Sequence, residues 1–112
     1  LAIRLDWPVV VVADNTLGTI NHTLLTLEAI CHADLKCLGI ILTETTPRTD
    51  ANRFIREDNA RVIAERGGLL FAEVPYIEPS HTGDDFWMRV DAALISPIPT
   101  SFLRVLAKGD LP

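Results

Sequence analysis

The stretch of residues 8–27, PVVVVADNTLGTINHTLLTL, predicts a buried strand, a polar turn and a helix, in that order. Four consecutive valines form a β-branched run of the kind found in strands that are covered on both faces. The turn contains short polar residues and Gly18, which lets one backbone approach another closely. From Thr19 onward, apolar residues recur at helical spacing. The helix therefore begins just beyond the carboxyl end of a strand, where ligands bind in open α/β sheets.

The N-terminus of that helix is a candidate anion site. Free backbone N–H groups and the helix dipole favour a negative charge there, by about 0.3–1 kcal/mol at an exposed end. The alternative is an ordinary strand–turn–helix corner in which Thr19 caps the helix. His22 lies in the first helical turn, where a hydrogen-bonding role that steadies the turn is favoured over a role as a catalytic base.

Beyond this stretch, the chain continues to alternate strands with helices. We predict the end of a helix over residues 1–5, strands over 8–13, 36–43 and 69–74, helices over 19–33, 51–66 and 84–94, and one or two helical turns over 101–108. Such alternation implies parallel strands joined by right-handed crossovers. The chain is therefore expected to form an α/β domain with a small sheet whose edges are open.

The predicted helix over residues 51–66 has its own boundary signals. Asp50 is expected to cap its start, and the pair Gly67-Gly68 is expected to end it. Its predicted apolar face consists of Phe54, Ile55, Val62 and Ile63. Four-residue spacing predicts ion pairs among Arg53, Glu57 and Arg61.

Composition limits the class of protein. A chain of 112 residues fits one small domain, and 48% hydrophobic residues make it core-rich. The net charge of −5 argues against binding to nucleic acid or to an anionic membrane. Cys31 and Cys37 are not part of a Cys-x-x-Cys motif, so we expect reduced thiols on the core side and a cytoplasmic protein. Because the chain begins inside a predicted helix and without methionine, we expect it to be the later part of a longer protein.

Three short motifs carry a resemblance to a known family. The sequence LGTINHTLLT at residues 17–26, after the PVVVVAD strand, resembles the signature of dethiobiotin synthetases. The similarity continues through GIIL at residues 39–42 and EVPY at residues 73–76, and it covers about residues 1–80. These synthetases are ATP-dependent enzymes of the biotin pathway. The resemblance implies a P-loop NTPase-like, Rossmann-like three-layer domain with a parallel sheet, of which residues 1–112 are the C-terminal portion.

The resemblance also implies where ligands bind. The helix N-terminus would help to bind the substrate carboxylate across a dimer interface, through backbone N–H groups and one side-chain amide of Gly18, Thr19, Ile20 and Asn21. The nucleotide base would be contacted by Thr43, Glu44, Pro75, Tyr76 and Ile77. The family has an asparagine at the position of Thr43, and a hydroxyl cannot provide the paired donor and acceptor of a carboxamide. This change leaves three interpretations open: a relaxed base preference, an altered site, or an ordinary threonine at a strand end.

The family's reactive groups are absent from this sequence. No Gly-x-x-x-x-Gly-Lys-Ser/Thr motif occurs in the 112 residues. The resemblance places that loop, a substrate-activating lysine and the Mg²⁺ carboxylates upstream, so we assign no catalytic and no metal-binding residue here. The chain alone is not expected to catalyse a reaction. His81, Asp84 and Asp85 are close in sequence, and we interpret them as a solvated loop rather than a metal site.

The resemblance implies an ATP-dependent cyclo-ligase. The full protein would join CO₂ to 7,8-diaminononanoate and close a ureido ring with ATP and Mg²⁺. It would be a cytoplasmic homodimer that binds small molecules and neither nucleic acid nor a membrane. One alternative is a non-catalytic, synthetase-like module that senses a nucleotide or a carboxylate within a larger protein. A second alternative is another P-loop ligase that forms amides or rings.

Overall fold

The computed structural model describes residues 1–67 and 70–78, together with residues 83, 84, 87 and 88. The helices are α1 (Ala2–Leu5), α2 (Thr19–His32) and α3 (Asp50–Gly67), and the strands are β1 (Val9–Asp14), β2 (Cys37–Thr43) and β3 (Leu70–Val74). The predicted order and type of these six elements are confirmed. Of the predicted helix over residues 84–94, positions 84, 87 and 88 are helical. The rest of that helix and residues 101–108 lie outside the described residues.

The three strands form one parallel sheet in the order β1-β2-β3. Val11 lies opposite Ile40, and Ile41 lies opposite Ala72. Because all three strands run in the same direction, their carboxyl ends meet at one edge of the sheet. This arrangement confirms the predicted parallel α/β fold, and it brings the segments after β1, β2 and β3 together at that edge.

The hydrophobic core lies on one face of the sheet. Ile40 and Leu42 are two positions apart on β2, so both point toward the helices, where they meet Ala60 and Ile63 of α3. Partly buried residues from the other elements complete the packing, namely Val11, Ala13, Ile20, Leu27 and Leu70. The prediction that the valine strand is covered on both faces is wrong for the described part of the chain. Val12 alternates to the opposite face of the edge strand β1, where 64% of it is exposed.

The buried face of α3 differs from the predicted one. Its buried residues are Arg56, Asn59, Ala60 and Ile63, which lie at helical spacing along one face. Phe54 was predicted to lie on the apolar face but is 76% exposed. The prediction counted only apolar residues, and two polar side chains occupy the buried face in their place.

The start of α3 is capped by Thr49 rather than by Asp50. The Thr49 hydroxyl accepts a hydrogen bond from the N–H of Asn52, and the Asn52 carboxamide oxygen accepts one from the N–H of Thr49 at 2.8 Å. This reciprocal pair acts as a capping box, so Asp50 lies inside the helix. The predicted ion pairs among Arg53, Glu57 and Arg61 are wrong. Arg61 instead pairs with Asp58 and Glu65.

Across residues 1–67, 70–78 and the four isolated positions, no helix is long and apolar enough to cross a membrane.

Both cysteines are free thiols, and they differ in exposure. Cys37 is half-buried at the start of β2, where its Sγ donates to the carbonyl oxygen of Gly39. Cys31 is exposed on α2, so the prediction that it lies on the core side is wrong. Cys31 lies four residues after Leu27 and therefore shares its face of α2, but it lies in the last turn of the helix, beyond the residues that pack against the core.

Candidate functional site

The turn between β1 and α2 positions the start of the helix. Gly18 is the N-cap residue and adopts φ +91°, a left-handed conformation that favours glycine. Thr19 is the first helical residue and not the cap, so the alternative in which Thr19 caps the helix is wrong, and no side chain in the described ranges caps it. Among the described residues, the N–H groups of Ile20 and Asn21 have no hydrogen-bond acceptor, whereas that of Thr19 donates to the carbonyl oxygen of Thr16 at 3.3 Å. Two backbone donors therefore remain free for a ligand at this helix end.

A cavity of about 310 Å³ lies between β1 and the first two turns of α2. It is lined by Val11, Val12, Ala13, Asp14, Thr16, Thr19, His22, Thr23 and Thr26. Of the four predicted substrate-binding residues, Thr19 lines this cavity, Ile20 packs against the core, and Asn21 is exposed at the helix start. Thr23 is 2% exposed, and within the described ranges its hydroxyl has no hydrogen-bond partner.

Two buried asparagines hold the β1–α2 turn against α3. Asn15 is 1% exposed, and its N–H donates to the carbonyl oxygen of Thr43 at 2.7 Å. Asn59 of α3 donates from Nδ2 to Asn15 Oδ1 and to the carbonyl oxygen of Thr16, both at 2.9 Å. Asn15 Nδ2 in turn donates to the carbonyl oxygen of Arg56 at 3.3 Å. The segment that leads into Gly18 is thus fixed by hydrogen bonds from a neighbouring helix.

A buried ion-pair network holds the segment after β2. Glu44 is 9% exposed, and its two carboxylate oxygens pair with different arginines. Arg56 Nη1 lies 3.2 Å from Oε2, and Arg48 donates from Nε to Oε1 at 2.7 Å. Arg56 also donates to the carbonyl oxygen and the hydroxyl of Thr46, at 2.8 and 2.6 Å. The hydrogen bond that Arg48 donates to Glu44 raises the pKa of the Arg48 guanidinium, so this side chain stays charged.

The second cavity lies at the ends of β2 and β3 and has a volume of about 490 Å³. It is lined by Glu44, Pro47, Arg48, Glu73, Pro75 and Tyr76. Three of the predicted nucleotide-binding residues, Glu44, Pro75 and Tyr76, therefore meet around one cavity. Thr43 and Ile77 do not line it, and the Thr43 hydroxyl donates to the carbonyl oxygen of Ala13 at 3.4 Å.

Several residues that organise these cavities were not identified from the sequence. They are Asn15, Arg48, Arg56, Asn59 and Glu73. One signal could have found part of the set: Arg56 and Asn59 are spaced three apart, in register with Ala60 and Ile63, which places polar groups on the buried face of a helix. Buried polar residues are hydrogen-bonded, so such a pattern predicts partners on an adjacent loop.

The described residues contain no group of three or more histidine, cysteine, aspartate or glutamate side chains that could hold a metal ion. Of the three loop residues considered in the sequence, Asp84 is the first helical residue of its segment, and His81 and Asp85 lie outside the described residues. No metal-binding role is assigned to any of the three.

Comparison with known proteins bears on the function of this site. A family model described as an AAA domain matches residues 1–82 of the 112. Among curated proteins, an ATP-dependent dethiobiotin synthetase of Neorickettsia sennetsu is 40% identical over 76 residues, covering 67% of this chain and 28% of the relative. The chain belongs to this AAA domain family, which has the predicted P-loop NTPase-like fold, and it is similar to dethiobiotin synthetases. The predicted resemblance to dethiobiotin synthetases is thereby confirmed.

Two further dethiobiotin synthetases show how far the similarity extends. The enzyme of Endomicrobium trichonymphae is 34% identical over 85 residues, which cover 76% of this chain and 38% of the relative. That of Anaeromyxobacter sp. strain K is 50% identical over 50 residues, which cover 45% of this chain and 22% of the relative. The chain spans less than two fifths of the length of these curated relatives.

Proposed function

We propose that this chain is part of an ATP-dependent dethiobiotin synthetase that closes the ureido ring of dethiobiotin from 7,8-diaminononanoate and CO₂. The similarity to curated dethiobiotin synthetases, which reaches 40% identity over 67% of the chain, carries this proposal. The geometry of the α2 N-terminus supports it, because the free N–H groups of Ile20 and Asn21 suit a substrate carboxylate. In this proposal, residues Gly18, Thr19, Ile20 and Asn21 bind the substrate.

The chain's own residues would bind and orient ligands rather than react with them. Holding the carboxylate at one end of the diamine fixes the position of its amino groups. Such positioning lowers the barrier of the reaction, because the entropy of orienting the substrate is lost on binding and not in the reaction step. The helix dipole adds about 0.3–1 kcal/mol of attraction for the carboxylate at an exposed helix end. When bound, ATP supplies the phosphoryl group that activates the carboxylated amine for ring closure.

The second cavity fits the base of a nucleotide. Pro47, Pro75 and Tyr76 offer flat apolar surfaces against which a base can stack, and Arg48 and Glu73 offer polar groups to its edge. We assign the nucleotide base to this cavity, near Thr43, Glu44, Pro75, Tyr76 and Ile77. The phosphate-binding loop and the Mg²⁺ carboxylates are assigned to the rest of the protein, since this sequence has no Gly-x-x-x-x-Gly-Lys-Ser/Thr motif.

We further propose that the full protein is a cytoplasmic homodimer in which the α2 N-terminus faces the partner subunit. Leu17 and Leu25, which flank this helix end, are 84% and 62% exposed, and exposed apolar side chains near a site support a protein interface. The free thiols of Cys31 and Cys37 fit a reducing compartment. Sedimentation of the full-length protein as a monomer at micromolar concentration would contradict the dimer.

The proposed reaction can be tested directly. The full-length protein is incubated with 7,8-diaminononanoate, bicarbonate and MgATP, and the products are separated by liquid chromatography and mass spectrometry. We expect dethiobiotin and ADP in equal amounts, and no dethiobiotin when the diamine or ATP is omitted. Failure to form dethiobiotin from all three substrates, by a protein that binds them, would contradict the proposal.

One observation favours a second candidate, a non-catalytic module that senses a nucleotide or a carboxylate. The family's base-reading asparagine is replaced by Thr43, whose hydroxyl is already donated to the carbonyl oxygen of Ala13. A protein that binds ATP or diaminononanoate but releases neither ADP nor dethiobiotin would support this candidate. Equal release of both products would exclude it.

A further inference from the structure

Both cysteines of the chain line one cavity, which lies at the opposite edge of the sheet from the two cavities described above. The cavity has a volume of about 450 Å³ and lies between the end of α2, the start of β2 and the end of α3. Cys31 is exposed in the last turn of α2, and Cys37 is half-buried at the first position of β2. Two free thiols therefore border one cavity at the amino ends of the strands.

The turn between the two cysteines folds the chain back onto the end of α2. The N–H of Asp34 donates to the carbonyl oxygen of Cys31 at 3.0 Å, and that of Leu35 donates to the carbonyl oxygen of Ile30 at 3.1 Å. With Asp34 at φ +54°, these two bonds form a Schellman motif, which reverses the chain directly after the helix. Two residues extend at most about 7 Å, so Cys37 stays near Leu35 and therefore near the last turn of α2.

Both thiols are available for reaction. Cys31 is exposed, so a small molecule in solution can reach its Sγ. Cys37 Sγ makes a long hydrogen bond to the carbonyl oxygen of Gly39 at 3.7 Å, and a thiol is a weak donor, so rotation of the side chain releases it easily. Within the described ranges, the two cysteines belong to no group of three or more side chains that could hold a metal ion. We therefore assign the pair to thiol chemistry.

We propose that Cys31 and Cys37 are a redox-active pair that closes to an intramolecular disulfide. The oxidant is a low-molecular-weight disulfide, such as oxidised glutathione. The Cys31 thiolate attacks one sulfur of the oxidant and forms a mixed disulfide, and the first thiol of the oxidant leaves. The Cys37 thiolate then attacks the Cys31 sulfur, so the bond between the two cysteines forms and the second thiol leaves. The protein gives up two electrons and two protons, and the oxidant becomes two thiols.

This inference does not depend on the proposed function, because the cavity lies away from the carboxyl edge of the sheet where the ligands are assigned. In a reducing compartment the pair stays as the two free thiols of the structure. A rise in the concentration of disulfides would convert it, and a reductant would restore it.

Trypsin provides a direct test, because it cleaves after Lys36, between the two cysteines. The cysteines then fall in the separate peptides of residues 5–36 and 37–48. The folded full-length protein is incubated with oxidised glutathione, its remaining thiols are alkylated, and the digest is analysed by mass spectrometry without reductant. We expect the two peptides to be joined, with a mass about 2 Da below the sum of the separate peptides, and dithiothreitol to release them.

Two variants separate the steps of the reaction. Cys37→Ser should stop at the mixed disulfide and keep glutathione on Cys31, because no second thiol displaces it. Cys31→Ser should lose the joined peptides and carry little glutathione, because Cys37 is half-buried. If Cys37→Ser fails to fold, the wild type and Cys31→Ser decide.

Three results would overturn the inference. The first is a wild-type protein that keeps glutathione on Cys31 without joined peptides, which would mean that the second thiol cannot reach the first. The second is a wild-type protein in which neither cysteine reacts. The third is a pair of joined peptides that forms only after the protein is unfolded in urea, since the fold would then keep the thiols apart.

Discussion

The two cavities at the carboxyl edge of the sheet are built in different ways. Next to α2, side chains such as Asp14, Thr19 and His22 line the cavity, and the groups available to an anion are backbone N–H groups at a helix end that begins at a glycine in a left-handed conformation. Next to β2 and β3, they are charged side chains that a buried carboxylate and a second arginine hold in place. A helix end of this kind favours negative charge without distinguishing one anion from another. The second cavity can distinguish ligands by their pattern of donors and acceptors, because each side chain has a fixed partner.

The α3 helix supports the residues around both cavities through the polar side chains on its buried face. Arg56 supports the Glu44 network, and Asn59 supports the turn before α2. We therefore expect the protein to lose more stability when the support of the second cavity is removed than when the support of the turn before α2 is removed. Three substitutions test this order.

The largest effect is expected from Arg56→Met. This change removes a charge that is 3% exposed and leaves the buried Glu44 with Arg48 alone. Breaking a buried ion pair on one side costs about 3–5 kcal/mol, and we expect about 3 kcal/mol because one arginine remains. Urea denaturation of the full-length protein measures the change in the free energy of unfolding. Arg53→Met, on the exposed part of the same helix, should leave it nearly unchanged, and an equal loss in both variants would contradict the buried network.

A smaller loss is expected from Asn59→Ala. This substitution removes both Nδ2 hydrogen bonds and leaves the carboxamide oxygen of the buried Asn15 without its donor. An unsatisfied buried acceptor costs about 1–3 kcal/mol, so we expect about 2 kcal/mol from the same denaturation experiment. The KM for diaminononanoate should also rise, since Asn59 holds the turn before α2. A loss of stability with an unchanged KM would show that the turn does not need this support.

The smallest effect is expected from Gly18→Ala. No atom of the described residues lies within 4 Å of the added Cβ, so the expected cost comes from the positive φ. A left-handed conformation costs a non-glycine residue about 1–2 kcal/mol, and we expect about 1 kcal/mol. Thermal unfolding of the full-length protein measures it. An unchanged or higher melting temperature would mean that the turn has another conformation from the one described.

The parts predicted from the sequence were those set by local pattern. The valine run at residues 9–12, the polar turn with Gly18 and the helical spacing after Thr19 determine their own structure, so their type and order were predicted correctly. Errors arose where a distant contact overrides the local pattern. Phe54 is apolar and exposed, while Arg56 and Asn59 are polar and buried, because the loops that they bind come from residues 15, 16, 44 and 46.

The same reason explains which site residues were found. The helix start at residues 18–21 is a local feature with a recognisable motif, and two of its N–H groups have no acceptor in the part of the chain that the structure describes. Arg48 and Glu73 are 25 positions apart, and only the parallel pairing of β2 with β3 brings them to one cavity. No spacing rule in a single sequence predicts such a pair.

The claim that the α2 N-terminus binds the substrate carboxylate is tested most directly at Asn21. Thr19 is 4% exposed, so a charge there would disturb folding, whereas Asn21 is exposed in the first turn. We would measure the KM values of diaminononanoate and of the nucleotide for the full-length protein as wild type, Asn21→Glu and Asn21→Gln. Glutamate should raise the diamine KM about tenfold by repelling the carboxylate, without lowering the melting temperature, because an acidic residue suits a helix start. The nucleotide KM should stay within about twofold in both variants, as should the diamine KM of the neutral Asn21→Gln. An unchanged diamine KM in Asn21→Glu, or an equal rise for diamine and nucleotide, would contradict the account.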